Sequence, residues 1–89
     1  MKITATNKDL ISGCVARWDV TEGDKTYDFI LMETGEDVEE WPHGTGCLYI
    51  REGQFRTAMC VNLSMVMSAD PELFAHKIRI FENLKTRDC

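Results

Sequence analysis

The sequence predicts an α+β fold, an antiparallel sheet of four to five strands in two hairpins with one C-terminal helix packed on one face. Three observations lead there. Residues 70–87 carry a capped, amphipathic helical pattern. Residues 14–32 and 47–61 each read as two alternating runs divided by a short glycine turn. No internal repeat or linker divides the 89 residues, a length that suits one domain with one core.

Residues 2–5 alternate polar and apolar and are expected to form a first strand, turning at Asn7-Lys8-Asp9. From Gly13 onward, Cys14, Ala16, Trp18 and Val20 alternate with Arg17 and Asp19. That is the pattern of a half-buried strand, with Trp18 as its largest core contribution. Glu22-Gly23-Asp24-Lys25 supplies a turn, and residues 26–32 return as the partner strand. Tyr27, Phe29 and Leu31 point to one side; Asp28, Ile30 and Met32 point to the other. Because residues 29–32 are apolar on both faces, this strand belongs at the centre of the sheet, or has its second face against another chain.

Residues 33–46 show no period-2 pattern, are rich in acids and glycine, and contain Trp41-Pro42-His43. Loops this long in compact domains tend to be functional or mobile. A turn or two of helix over residues 36–41 would end at Pro42. The second hairpin follows: residues 47–51 run out, Glu52-Gly53-Gln54 turns, and residues 55–61 come back. Alternation continues through Leu63, Met65 and Met67, so this strand is expected to be long or to bend near Asn62.

The helix starts with Asp70 as N-cap, its carboxylate placed to accept the first free N–H groups, and Pro71 suits the first helical position. Asp70 and Glu72 open the segment and Lys85 and Arg87 close it, matching the helix dipole. On a 100° wheel Leu73, Phe74, Ile78, Ile80, Phe81 and Leu84 share one arc, with His76, Arg79, Glu82, Asn83 and Thr86 opposite. A strand over residues 78–80 is the weaker competing pattern. Lys77 falls inside the apolar arc. Its stem is expected to lie on the core edge with the ammonium reaching water; the alternative is an acid partner from the sheet.

At 44% hydrophobic and 28% charged, the chain has the composition of an ordinary soluble globular protein. No apolar run approaches the ~18 residues of a membrane-spanning helix. Residues 1–15 lack a signal-peptide pattern, so a cytoplasmic location is expected, the host cytoplasm if the chain is phage-encoded. The four cysteines (Cys14, Cys47, Cys60, Cys89) form no CxxC pair. Reduced thiols are expected, three of them small buried hydrophobes and Cys89 exposed.

Charge is the least ordinary feature. Residues 19–40 hold nine acids and one base, Lys25, a charge of −8; the remainder holds six acids and nine bases, a charge of +3. A run of carboxylates is most often a solvated surface. Its alternative is docking on a basic partner, because a one-signed patch steers encounter. Contacts are expected at Glu36, Asp37, Glu39, Glu40 and Trp41, with Asp24 and Asp28 as steering charges. Trp is enriched among residues that dominate binding energy, although Trp41 can equally fold back as a lid over the sheet edge.

Catalytic and ligand signatures are weak. His43 and Cys47 bring an imidazole and a thiol within four residues, but no motif supports a nucleophile. With Cys60 they make three scattered ligands, so no metal and no cofactor is expected. The acids at 36–40 lack calcium-loop spacing, and Gly44-Thr45-Gly46 is not followed by a phosphate-loop lysine. Base stacking on Tyr49, Arg51, Phe55 and Arg56 is conceivable, but an isoelectric point near 4.9 disfavours direct nucleic-acid binding.

The expected function is therefore a non-enzymatic acidic protein-binding module, an inhibitor or adaptor docking on a basic protein or nucleoprotein complex. Phage-type anti-defence inhibitors share this size and charge. The alternatives are a homo-oligomeric accessory subunit, a homodimer through Ile30 and Met32, and a small Cys/His enzyme or ligand-binding domain.

Overall fold

The computed structural model describes residues 1–6, 13–33 and 44–87. Five strands form one antiparallel sheet whose spatial order is the chain order: β1 (Lys2–Ala5), β2 (Cys14–Glu22), β3 (Lys25–Met32), β4 (Thr45–Glu52) and β5 (Phe55–Asn62). A short helix, α1 (Leu63–Met67), leads to α2 (Pro71–Arg87), which lies on one face. The α+β layout is the expected one, with five strands. The apolar run of residues 29–32 sits in β3, the middle strand of the five.

The core is the sandwich of α2 on the inner face of the sheet. Trp18, Val20, Tyr27, Phe29, Leu31, Leu48 and Ile50 are buried from the strands, and Phe74, Ile78 and Phe81 from the helix. Phe74 packs between Phe29 and Trp18, with ring centroids 4.8 and 5.2 Å away. One face-length further along, Phe81 packs between Tyr27 and Phe55 at 5.6 and 5.3 Å. Two aromatic clusters thus pin α2 at two levels along β3, and each fully buried phenylalanine contributes about 1.5–3 kcal/mol by area removed from water. Asp70 caps the helix as expected, its carboxylate accepting the Glu72 N–H at 3.1 Å, and the continuous helix excludes the competing strand at 78–80.

Several expectations are corrected. The buried arc of α2 is Phe74, Ile78 and Phe81; Ile80 is only half-buried and Leu84 is exposed. For Lys77 it is the alternative that is not found: the residue is half-buried, and no acid pairs with it among the described residues. The alternation at Leu63, Met65 and Met67 does not continue the strand. Asn62 ends β5, and its side-chain oxygen accepts the Met65 N–H at 3.1 Å, which caps α1. Met65 and Met67 are exposed, Val66 enters the core and Leu63 packs against it. Ala69, at φ 53°, then reverses the chain into α2. Of the three cysteines among the described residues, Cys47 is buried, Cys14 half-buried and Cys60 exposed, because β5 turns Cys60 away from the helix. No helix among the described residues is long and apolar enough to cross a membrane.

Candidate functional site

With α2 on one face, the side chains that alternate outward from β2 to β5 form a second face, helix-free among the described residues. Strand register fixes how they line up. One row across the sheet reads Asp19, Asp28, Arg51, Arg56. The next reads Arg17, Ile30, Tyr49, Ala58, and a third reads Cys14, Met32, Cys47, Cys60. Beyond Arg17, the polar row therefore borders apolar residues. Ile30, Met32, Tyr49, Arg51 and Arg56 line a shallow hollow of about 240 Å³, and Tyr49 stands 39% exposed.

Asp28 is the centre of the polar row. Arg17 donates to it in a fork, Nε to Oδ1 at 2.9 Å and Nη2 to Oδ2 at 2.7 Å. Arg51 Nη2 donates to the same Oδ2 at 2.9 Å. Bidentate charge-assisted pairs of this kind fix geometry as well as energy. Asp28 was expected to act as a steering charge; it is instead neutralised by two guanidinium groups, with its side chain only 13% exposed. The outer members of the row differ. Asp19 and Arg56 are exposed and form no ion pair among the described residues.

Asp24 is exposed at the β2–β3 turn. Glu36, Asp37, Glu39, Glu40 and Trp41, with His43, lie outside the described residues. The chain leaves for that segment after Glu33 and re-enters at Gly44, at the opposite end of β3 from Asp24. Eight residues of strand separate the two ends, roughly 26 Å. The acidic turn and the acidic segment are thus not one contiguous patch at their anchor points. Cys47, the proposed thiol partner of His43, is 5% exposed within β4. Among the described residues no three His, Cys, Asp or Glu side chains group to hold a metal. The base-stacking set is also divided: Tyr49, Arg51 and Arg56 face outward, whereas Phe55 packs inward on Phe81.

The row of four charges escaped the sequence reading, although half of it could have been found. A two-residue turn at Gly23-Asp24 pairs Asp19 with Asp28, and one at Gly53-Gln54 pairs Arg51 with Arg56. Comparison with family models, curated proteins and solved structures gives no match.

Proposed function

We propose that the chain is a non-enzymatic protein-binding module, an inhibitor or adaptor that docks on a basic protein or nucleoprotein complex. The observation that carries this reading is the state of the bases around the acidic stretch. Between Lys25 and Arg51 the sequence contains no Lys or Arg, but it contains Asp28, Glu33, Glu36, Asp37, Glu39 and Glu40. The two bracketing bases are committed elsewhere. Lys25 Nζ donates to Glu82 Oε1 at 3.1 Å, and Arg51 is tied to Asp28. A basic partner would supply counter-charge to this acid-rich stretch, and proteins that grip phosphates offer the commonest large basic surfaces. Glu36, Asp37, Glu39, Glu40 and Trp41 form the contact, with Asp24 as a steering charge. An anti-defence role of the phage type is one setting for such a module, supported by size and charge.

Affinity capture with mass spectrometry tests it. Partners recovered at about 50 mM salt should be basic, nucleic-acid-binding proteins and should be lost at about 500 mM, as docking through exposed charges requires. The variant E36Q/D37N/E39Q/E40Q should lose them at low salt as well. If it retains the same partners with the same salt dependence, the reading fails.

A further inference from the structure

We infer that the helix-free face of the sheet binds a second copy of this chain, related by a half-turn about an axis parallel to the strands and passing between β3 and β4. This surface is independent of the acidic segment above, and either assignment can fail alone.

The polar row carries the argument. Asp19, Asp28, Arg51 and Arg56 stand on β2, β3, β4 and β5 in that order, so the row reads minus, minus, plus, plus. Within one chain this order is unfavourable at both ends. Asp19 lies directly opposite Asp28 and Arg51 directly opposite Arg56, and like charges so placed repel. Only the middle pair is bonded, Arg51 to Asp28 at 2.9 Å. Folding accounts for Asp28, which Arg17 and Arg51 neutralise, but it gives Asp19 and Arg56 no ion-pair partner among the described residues.

A half-turn does. Reversing the row lays plus, plus, minus, minus over the original, so that Asp19 faces Arg56 of the second copy and Asp28 faces its Arg51. The same rotation sets Ile30 against Tyr49 in the neighbouring row, apolar on apolar, with Arg17 over Ala58 at that row's ends, and the hollow beside Tyr49 receives side chains from the other copy. An in-plane axis across the strands at Ile30 would lay Asp28 on Met32, charge on apolar surface. Of the two axes, the parallel one pairs opposite charges along the polar row and sets Ile30 on Tyr49 beside it, and it makes an isologous, closed dimer.

Size sets the expected strength. Four strands at about 4.8 Å spacing and three rows along them span on the order of 400–500 Å² per copy. That is at the low end for specific interfaces, so the dimer should be reversible and dependent on concentration.

Sedimentation velocity on the full chain from roughly 5 to 500 μM reads the equilibrium. The mass should rise from 10.2 kDa toward twice that value. D19R and R56D should each weaken association by about tenfold, because each brings like charges together across the interface. Neither should lower the melting temperature of the dilute protein appreciably, since Asp19 and Arg56 are exposed and form no ion pair among the described residues. The double variant D19R/R56D should recover the dimer to within about threefold of the original, through the restored opposite charges. A chain that stays monomeric throughout, or a double variant no tighter than the singles, overturns the inference. Concentration-dependent amide shifts give a readout free of substitution: they should fall on Ile30, Tyr49 and Ala58, and shifts confined to α2 would also overturn it.

Discussion

Gly46 sits where β4 passes beneath α1, and nothing larger fits there. A Cβ at this position would lie 2.5 Å from the Met32 carbonyl oxygen and would also collide with Leu63 Cδ2. The leucine could turn away; the carbonyl belongs to the β3–β4 ladder and cannot. The reason for glycine differs from that at Gly23 and Gly53, where φ of 63° makes the two-residue turns. Gly46→Ala should therefore lower stability by about 1–3 kcal/mol, the usual range for forcing an extra carbon into a packed site. Urea unfolding at constant slope measures it, and a loss below about 0.5 kcal/mol would mean that the strand and α1 are not held as close as described. Nothing in the sequence around Gly46 announces this contact, because Met32 and Leu63 reach it from two different elements. Asp28 was misread for the same reason. Its neighbours in sequence leave it a free acid, and the two arginines that neutralise it arrive by strand pairing.

At the scale of elements, α2 shows how far a sequence pattern goes and where it stops. The wheel locates the helix, its cap and its apolar side, but it centres the buried arc between Leu73 and Ile78. The buried residues Phe74, Ile78 and Phe81 are centred roughly 45° away on the same wheel. That roll swings Leu84 into solvent and brings Glu82 and Lys85 down to the sheet. There Tyr27 donates to Glu82 at 2.6 Å, and Lys85 to Glu52 at 2.5 Å. Bonds between elements distant in sequence set the roll, so composition along the helix cannot reveal it. Phe81→Ala should cost about 3–5 kcal/mol and Leu84→Ala under about 1 kcal/mol. Equal losses in chemical denaturation would contradict the roll. The strands divide in a similar way. Turn positions make the two hairpin registers readable from sequence, and with them the Asp19–Asp28 and Arg51–Arg56 pairs. The β3–β4 register that joins those pairs into one row is not readable, because residues 33–44 separate the two strands in sequence and no short turn signal fixes their pairing. The periodicity after Asn62 misled outright: alternation at Leu63, Met65 and Met67 is also compatible with one exposed helical turn, and the Asn62 cap decides for the helix.

For the molecule as a whole, the attachment between the turn end of the sheet and the end of α2 makes stability depend on pH at both extremes. The Tyr27 hydroxyl and the Lys25 ammonium both donate to Glu82 Oε1, at 2.6 and 3.1 Å. Burial, reinforced by the bond to Glu82, pushes the Tyr27 hydroxyl well above its ordinary value of 10.0. The bond from Tyr27, followed by Lys25, holds Glu82 below its ordinary 4.5 against the opposing effect of desolvation. The two shifts act on opposite limbs of the stability curve. Glu82 binds its proton less readily when folded, so its contribution is present above about pH 4.5 and is lost as pH falls through the lower folded value. Tyr27 gives up its proton less readily when folded, so its contribution is present below about pH 10 and is lost as pH rises toward the folded value. Tyr27→Phe removes the shared bond without opening a large cavity. It should cost about 1.5–3 kcal/mol at neutral pH, as loss of a hydrogen bond to a charged group does. The informative quantity is the difference between the two proteins from pH 3 to 11, because every other titrating group cancels in it. That difference should be flat between about pH 5 and 9 and should shrink at both ends. Urea midpoints at low micromolar concentration, where self-association makes no contribution, supply the curve. Two parallel profiles would show that the Tyr27–Glu82 bond does not couple sheet and helix to proton binding, and the roll of α2 would then need another cause.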